Sequence, residues 1–571
     1  MILVGAEKIA RYTDAGWWGN TTFGDRFLAW VDEQPDVEAV VDAPNRAAIT
    51  DGPVQRWTYA DLAHEVGRWA AFLIGQGLRK DDVVVVQCPN IVELHALYLA
   101  CAMTGVIVSP IPVQYRAHEI EHVVERTGAR MSFTVARVGK HELAASWQAL
   151  LGSLPTLEAV WALGDATPSG IGPLSTALRD TLPLSPDALR AYAKQIGLTA
   201  NDVVTVCWTS GTEARPKGVP RSHNQWLTVG RGTAEAASLP SGARMLVPFP
   251  FTNMAGYASC MAAWLHSGGC LVHHHPFDSE VFLTQLVDEG AEYAVAPPAV
   301  LTLLLKEPER LAQADLSRLR RIGCGGAPLS AWLIDAFEQR FGIRIVNLYS
   351  SNEGGSLAST PEDVPDSRTR AQFFPRLGVA GFDWSLPVAK RMRTRLVDMD
   401  TGEDIAQAGQ PGELRFEGPN VFDGYWRDPA ATERAFDAQG YYRSGDLFEI
   451  AGPRGEFYRY VGRHKDIVIR GGMNISCEEI EALLLEHPQV RDAAVIGLAD
   501  PVMGERLCAV VVPQPGEALT LPRLCEFLRV DKQIAVFKLP EQLQMLESLP
   551  RNPVGKVLKR DLRAMFQTPQ P

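Results

Sequence analysis

What most limits the folds open to this chain is an alternation of helix-like and strand-like segments. The apolar-periodic stretch 59–77 leads to VVVVQ at 83–87, a helix-like 91–104 and VIVSPIPV at 106–113. The pattern recurs as MLVPFP (245–250), a helix-like 256–267, CLVHHH (270–275), YAVAPP (293–298) and IRIVNLY (343–349). Short β-branched runs spaced by helix-length periodic segments predict parallel sheets with crossover helices. The region 393–460 changes character: short strands such as TRLVD and GELRFEG, separated by Gly, Pro and Asp turns, predict a small, mostly β subdomain. After Asp466 come DIVIRGG, a helix over 477–487, VRDAAVIGL, RLCAVVVP and a helix over 521–530, the order of a compact α+β unit of about 100 residues. At 571 residues the chain has room for roughly three to four such units.

Charge and cysteine usage remove several classes of function. Lys plus Arg total 55 against 67 Asp plus Glu, a net charge of −12, and no basic run stands out, so nucleic acid is not an expected partner. The nine cysteines never fall in C-x-x-C spacing, which argues against a disulfide framework or a zinc knuckle and for a reducing cytoplasm. The N-terminus lacks the basic and apolar regions of a secretory signal. The stretch 96–113 is uncharged, but Gly105, Ser109, Pro110 and Pro112 interrupt it, so a buried helix running into a core strand is expected rather than a membrane span.

Several motifs carry chemistry. TSGTEARPKGV, Thr209 to Val219, packs hydroxyls, glycine and a lysine into a short loop after an apolar run. Such a loop either cradles phosphate oxygens or is a solvated turn, and it lacks the spacing of a Walker loop. GCGGAPL, Gly323 to Leu329, misses the dinucleotide fingerprint because position 328 is proline. His118-Glu119-Ile120-Glu121-His122 is a literal H-E-x-x-H, with Glu142 spaced as a third zinc ligand; a metallopeptidase is the remote reading and a solvated amphipathic helix the favoured one. The three histidines at 273 to 275 suit a strand end better than a metal, since adjacent strand residues point to opposite faces. No G-x-S-x-G elbow is present.

The order of six motifs is the strongest signal: TSGTEARPKG (209–218), GGAPL (325–329), YSSNE (349–353), YYRSGD (441–446), GRHKD (462–466) and PRNPVGK (550–556). Together, over residues 10 to 565, the chain resembles the adenylate-forming superfamily of acyl-CoA ligases, aryl-acid AMP ligases and peptide-synthetase adenylation domains. The opening RYTDAGWWGNTTFGD is similar to the start of aryl-acid AMP ligases and cyclohexanecarboxylate-type CoA ligases. The resemblance implies an α/β fold: a large N-terminal domain (1–464) of two doubly wound sheets plus a small β-barrel subdomain (393–460), and a small mobile α+β C-terminal domain (466–571), with the hinge at Lys465. It implies ATP, Mg²⁺ and CoA as reactants, a small carboxylic acid as substrate, a cytoplasmic home, and a monomer or homodimer.

By position in the motifs, Thr209, Ser210, Gly211, Thr212 and Lys217 would hold the triphosphate. Gly326, Ala327 and the Tyr349 ring would enclose adenine, Glu353 would bind Mg²⁺, Asp446 would take the ribose hydroxyls, and Arg463 would approach ribose or phosphate. Lys556, with Glu353 and Thr212, would be catalytic. Attack of a carboxylate on a phosphate joins two anions, and a lysine on a Gly-containing turn supplies the charge that step needs. Asn253, Cys324 and Gly354 would line the acid pocket. Gly471 and Gly472, in RGGMNISCEEIE, would line a pantetheine channel, their ordinary reading being a tight strand-to-helix turn.

The chain departs from the family pattern in places. Glu213 and Ala214 stand where the family has Thr and Gly, and Asn352 replaces a Thr that touches the α-phosphate. Asn253 stands at the gate of the acid pocket, where it either recognises a polar substituent or is a satisfied buried amide. The absence of an aspartate near Asn253 argues against amino-acid substrates. The expected activity is ATP-dependent, AMP-forming transfer of an aromatic or cyclic acid to CoA. The alternatives are an aryl-acid AMP ligase loading a carrier protein, a ligase adenylating a small oxyanion such as nitrite, and a non-catalytic nucleotide sensor.

Overall fold

A run of four valines suits a strand covered on both faces, as in a parallel sheet, and Val83–Gln87 is a strand with every residue buried. It lies at the centre of a seven-stranded sheet ordered Gly172–Pro173, Ala159–Leu163, Met131–Val135, Val83–Gln87, Ile107–Pro110, Val203–Thr209, Lys217–Ser222. The computed structural model describes residues 1–209, 216–305, 307–326, 329–399, 401–463, 467–550 and 557–567. A second sheet has eight strands, ordered Ser356–Ser359, Arg344–Ser350, Arg321–Gly325, Tyr293–Ala296, Arg244–Val247, Cys270–His273, Glu38–Val41, Arg56–Thr58. Its interior pairs are parallel and each edge strand is antiparallel to its neighbour. These are the two sheets that the sequence pattern predicts.

The uncharged stretch that follows Val83–Gln87 resolves as expected. Val92–Thr104 is a helix in which every residue but Glu93 is buried, and Gly105, at φ 73°, ends it before the strand Ile107–Pro110. An all-round apolar helix belongs in a core, and no helix among the described residues is long and apolar enough to cross a membrane.

The expected small barrel takes a different form. Phe373–Pro375, Phe457–Arg463, Tyr442–Ala451, Gly412–Glu417 and Arg393–Val397 make a five-stranded sheet in that order, with Phe373–Pro375 and Arg393–Val397 at its edges. Among the described residues the sheet is open and no closed barrel forms. Its covered face is instead filled by aromatic side chains, Phe416, Phe448, Tyr442 and Tyr458 among them.

Backbone contacts divide the chain into two compact units: Met1–Val113, Val123–Trp208 and Gly218–Val461 form one, and Gln114–His122, Thr209–Lys217 and Gly462–Pro571 the other. The second unit holds a sheet ordered Met473–Ser476, Ile467–Arg470, Gly504–Pro513, Val490–Asp500, with Gln542–Met545 added in parallel beside Gly504–Pro513. Gly471 and Gly472, both at positive φ, form the two-residue hairpin between its first two strands. The expected strand-to-helix turn is therefore a strand-to-strand turn, and the helix Cys477–Leu485 starts only after the second strand.

The second unit also contains the glutamate of the H-E-x-x-H sequence. Glu119 lies on the helix Ala117–Thr127 and is 1% exposed, not solvated. Its carboxylate accepts hydrogen bonds from the Arg116 and Ala535 amides and from Lys538 Nζ, which also reaches both Glu479 oxygens at 2.8 and 3.0 Å. Burial lowers the pKa of the Lys538 ammonium, but Glu479 and Glu119 outweigh it, and the pKa is raised. A carboxylate engaged by three donors cannot act as the base of a metallopeptidase, and no group of three or more metal-ligating side chains occurs among the described residues.

Five histidines of the large unit, His95, His223, His273, His274 and His275, are buried. His95 and His273 are fully buried and stacked, with ring centroids 4.7 Å apart. Burial pushes both below the usual histidine range, with His273 adding to the effect on His95 and Asp42 partly opposing it at His273. Burial also lowers His223 and His275 to about 4. Unfolding restores these rings to about 6.5, so between roughly pH 6.5 and 4 the unfolded chain binds more protons and stability falls with falling pH. Urea unfolding is expected to show a loss approaching about 1.4 kcal/mol per pH unit for each such ring; a stability that stays level from pH 6.5 to 4.5 would contradict this.

Candidate active site

The site is built around the hairpin formed by Arg344–Ser350 and Ser356–Ser359. Its connecting loop closes on itself, with Ser351 N–H donating to Gly355 O and Gly354 N–H to Ser351 O. Gly354 adopts φ 102°, and a Cβ there would collide with the Asn420 carbonyl oxygen and lie 2.6 Å from Arg221 Nη1. Glycine is thus required at this turn.

Tyr349 stands on the first strand of the hairpin. Its ring stacks on Phe416 at 6.0 Å and meets Phe448 edge-on at 5.2 Å. Its hydroxyl donates to Asp446 Oδ2 at 2.5 Å. Asp446 is buried on Tyr442–Ala451, where Ser444, Gly445 and Asp446 stand opposite the single residue Leu414. Such bulges re-aim side chains, and Gly445, at φ 70°, supplies the left-handed residue. Tyr349 and Asp446, drawn from motifs far apart in sequence, are brought together.

Glu353, in the hairpin loop, is 7% exposed. Tyr425 Oη donates to its Oε1 at 2.9 Å, and its backbone carbonyl accepts from Phe422 N–H at 2.8 Å. Among the described residues no donor reaches Oε2. Arg221 lies behind the same loop, fully buried, with Nη1 donating to Asn352 O at 3.2 Å and the guanidinium 4.8 Å from the Trp226 ring. Burial lowers its pKa to about 10. Tyr425 and Arg221 are not among the residues that the sequence motifs single out.

Asn352, expected at the nucleotide in place of a Thr that touches the α-phosphate, and Asn253, expected at the acid pocket, both have structural work. Asn352 Oδ1 accepts from Met254 N–H at 2.7 Å and Nδ2 donates to Trp208 O at 3.0 Å, so its amide ties the hairpin loop to two other segments. Asn253 caps the short helix Met254–Gly256, its Oδ1 accepting from the Ala255 and Gly256 amides. Asn253 is half-buried, its acceptor is used on backbone, and its Nδ2 has no partner among the described residues, so both readings of Asn253 stay open. Cys324, expected at the acid pocket, is fully buried in the core with Ile322, Leu333 and Ile345.

Thr209 ends the strand Val203–Thr209 and Lys217 begins Lys217–Ser222, so the phosphate-loop motif joins two adjacent strands. Gly326, at φ 84°, follows Arg321–Gly325 and is exposed. Arg463 ends Phe457–Arg463. Ser210, Gly211, Thr212, Glu213, Ala214, Ala327, Lys465 and Lys556 lie outside the described residues.

Known proteins give the family. The family model described as AMP-binding enzyme matches residues 27–426, and that of the AMP-binding enzyme C-terminal domain matches 479–556. The chain belongs to this family, the adenylate-forming enzymes. It is 30% identical to a medium-chain fatty-acid–CoA ligase of Escherichia coli (strain K12), over 98% of this chain and 92% of that protein. It is 27% identical to a vibriobactin-specific 2,3-dihydroxybenzoate-AMP ligase of Vibrio cholerae, over 98% and 96%. Its fold is like that of an amide bond synthetase, McbA, from Marinactinospora thermotolerans, with a TM-score of 0.78 and 24% identity over 96% of this chain and 100% of that one.

If Asn352 is a brace, Asn352→Ala deprives one backbone donor and one backbone acceptor of their partners. Its unfolding free energy is expected to fall by about 1 to 3 kcal/mol; a denaturation curve matching the parent's would contradict the assignment.

Proposed function

We propose that this enzyme activates a carboxylic acid, aromatic or cyclic, as its acyl-adenylate and passes the acyl group to CoA. The observation that carries the reading is the Tyr349–Asp446 hydrogen bond beside the tethered Glu353, which brings the three nucleotide-site candidates of two separate motifs to one hairpin. The likeness of the opening segment to aryl-acid ligases supports a ring-bearing acid. The near full-length match to a CoA ligase, together with RGGMNISCEEIE, supports CoA as the acceptor.

In this reading an oxygen of the substrate carboxylate attacks the α-phosphorus of ATP and pyrophosphate departs. The CoA sulfur then attacks the acyl carbon, loses its proton to solvent, and AMP leaves with the oxygen that came from the acid. Thr209, Ser210, Gly211, Thr212 and Lys217 hold the triphosphate, Gly326, Ala327 and Tyr349 the adenine, and Asp446 the ribose, with Arg463 near it. Lys556 meets the charge that builds as two anions approach. Lys465 is the hinge between 1–464 and 466–571, and the cysteine usage supports a cytoplasmic home.

Glu353 suits Mg²⁺: one carboxylate oxygen is taken by Tyr425 and the other has no donor among the described residues, leaving a hard anionic oxygen for a hard cation. Bound there, the ion would neutralise phosphate charge. Glu353 would hold it in place, and Tyr349 and Asp446 would orient the nucleoside.

The test is pyrophosphate release from ATP and Mg²⁺ across aryl, alicyclic and fatty acids plus nitrite, with and without CoA. Turnover that needs both a ring-bearing acid and CoA is the expected result. Release that ignores CoA points to carrier-protein loading, and release with nitrite alone overturns the carboxylate reading. Lys556→Ala is expected to slow the adenylation step by about 10²- to 10³-fold, and an unchanged rate would remove its catalytic role.

A further inference from the structure

Three successive backbone carbonyls of the hairpin loop are each held from outside the loop. Arg221 Nη1 donates to Asn352 O at 3.2 Å, Phe422 N–H to Glu353 O at 2.8 Å, and Asn420 Nδ2 to Gly354 O at 3.0 Å. The backbone at Glu353 is therefore over-determined, but a fixed backbone still leaves a glutamate its side-chain rotamers. Among the described residues the carboxylate has one hydrogen-bond donor, the hydroxyl of Tyr425.

Tyr425 is itself well placed to be rigid. Its ring meets Phe422 edge-on at 4.9 Å, and its backbone N–H donates to Thr432 Oγ1 at 2.9 Å. Phe422 and Tyr425 belong to one short segment, so a single piece of chain grips both the carbonyl and the carboxylate of Glu353.

We propose that Tyr425 is a positioning residue: its hydroxyl selects the Glu353 rotamer, occupies Oε1, and leaves Oε2 turned to the divalent cation that accompanies ATP. The proposal rests on the reading of Glu353 as the metal ligand. In its absence the carboxylate samples other rotamers, and cation binding pays for the ordering that Tyr425 otherwise supplies.

Tyr425→Phe keeps the ring and its packing and removes only the donor. The direct readout is Mn²⁺ binding followed by electron paramagnetic resonance, in the presence of a non-hydrolysable ATP analogue. Tyr425→Phe is expected to weaken it about 10-fold, the scale of one hydrogen bond to a charged group. Glu353→Gln is expected to weaken it as well, and the double variant to bind no more weakly than Glu353→Gln alone, because the tyrosine acts through the carboxylate. A Tyr425→Phe titration that overlays the parent's overturns the proposal, as does a Tyr425→Phe penalty that persists in full in the Glu353→Gln background. Should Glu353→Gln bind Mn²⁺ as the parent does, the metal-ligand assignment falls first and the proposal with it.

Discussion

The nucleotide-site candidates depend on a hairpin loop whose carbonyls at Asn352, Glu353 and Gly354 are each tied to a different donor. A loop at the end of a sheet would ordinarily be the most adaptable part of such a structure. Here the left-handed Gly354 lets the loop come up against Asn420, and the amide of Asn352 reaches back to Trp208 and Met254. The strand end before the phosphate-loop motif, the start of the Met254–Gly256 helix and the Glu353 loop are thus joined through one side chain. Preorganisation of this kind is what a site needs if its charges are to act without reorganising during the reaction.

Buried charge follows the same economy elsewhere. Asp42, Arg46 and Glu93 form a network in which Asp42 also accepts the Val92 amide at the start of the core helix. Lys538 is enclosed with Glu119 and Glu479 in the other unit. Arg221 stands apart: its Nε and Nη2 are buried without a partner among the described residues, and it has the lowered pKa that an incompletely compensated cation shows. It sits behind the Glu353 loop, where its one bond is to backbone.

The sequence made the two parallel sheets legible because buried β-branched runs such as VVVVQ and CLVH have few alternatives. It also singled out Tyr349, Glu353 and Asp446 through the order of motifs, and the structure brings Tyr349 against Asp446. The amides were harder. Asn352 and Asn253 each carry a donor and an acceptor, and nothing in the sequence says whether these face a substrate or a backbone; the structure turns both groups of Asn352, and the acceptor of Asn253, toward backbone. The H-E-x-x-H pattern misled because Glu119 looked solvated, and its partner Lys538 is more than 400 residues away. Gly471 and Gly472 were recognisable as a tight turn, but whether a strand or a helix followed depended on four residues of pairing. Tyr425 and Arg221 gave no signal: one of 13 tyrosines and one of many arginines differ from the rest only in what they touch.

The central claim, that a carboxylate oxygen of the substrate attacks the α-phosphorus of ATP, leaves an isotopic record. The turnover of an acid labelled with ¹⁸O in both carboxylate oxygens, followed by mass spectrometry of the AMP released, reads it directly. The account predicts one ¹⁸O in each AMP, carried over when the acyl-adenylate gives up its acyl group. AMP that emerges unlabelled, with the acid consumed, would contradict it.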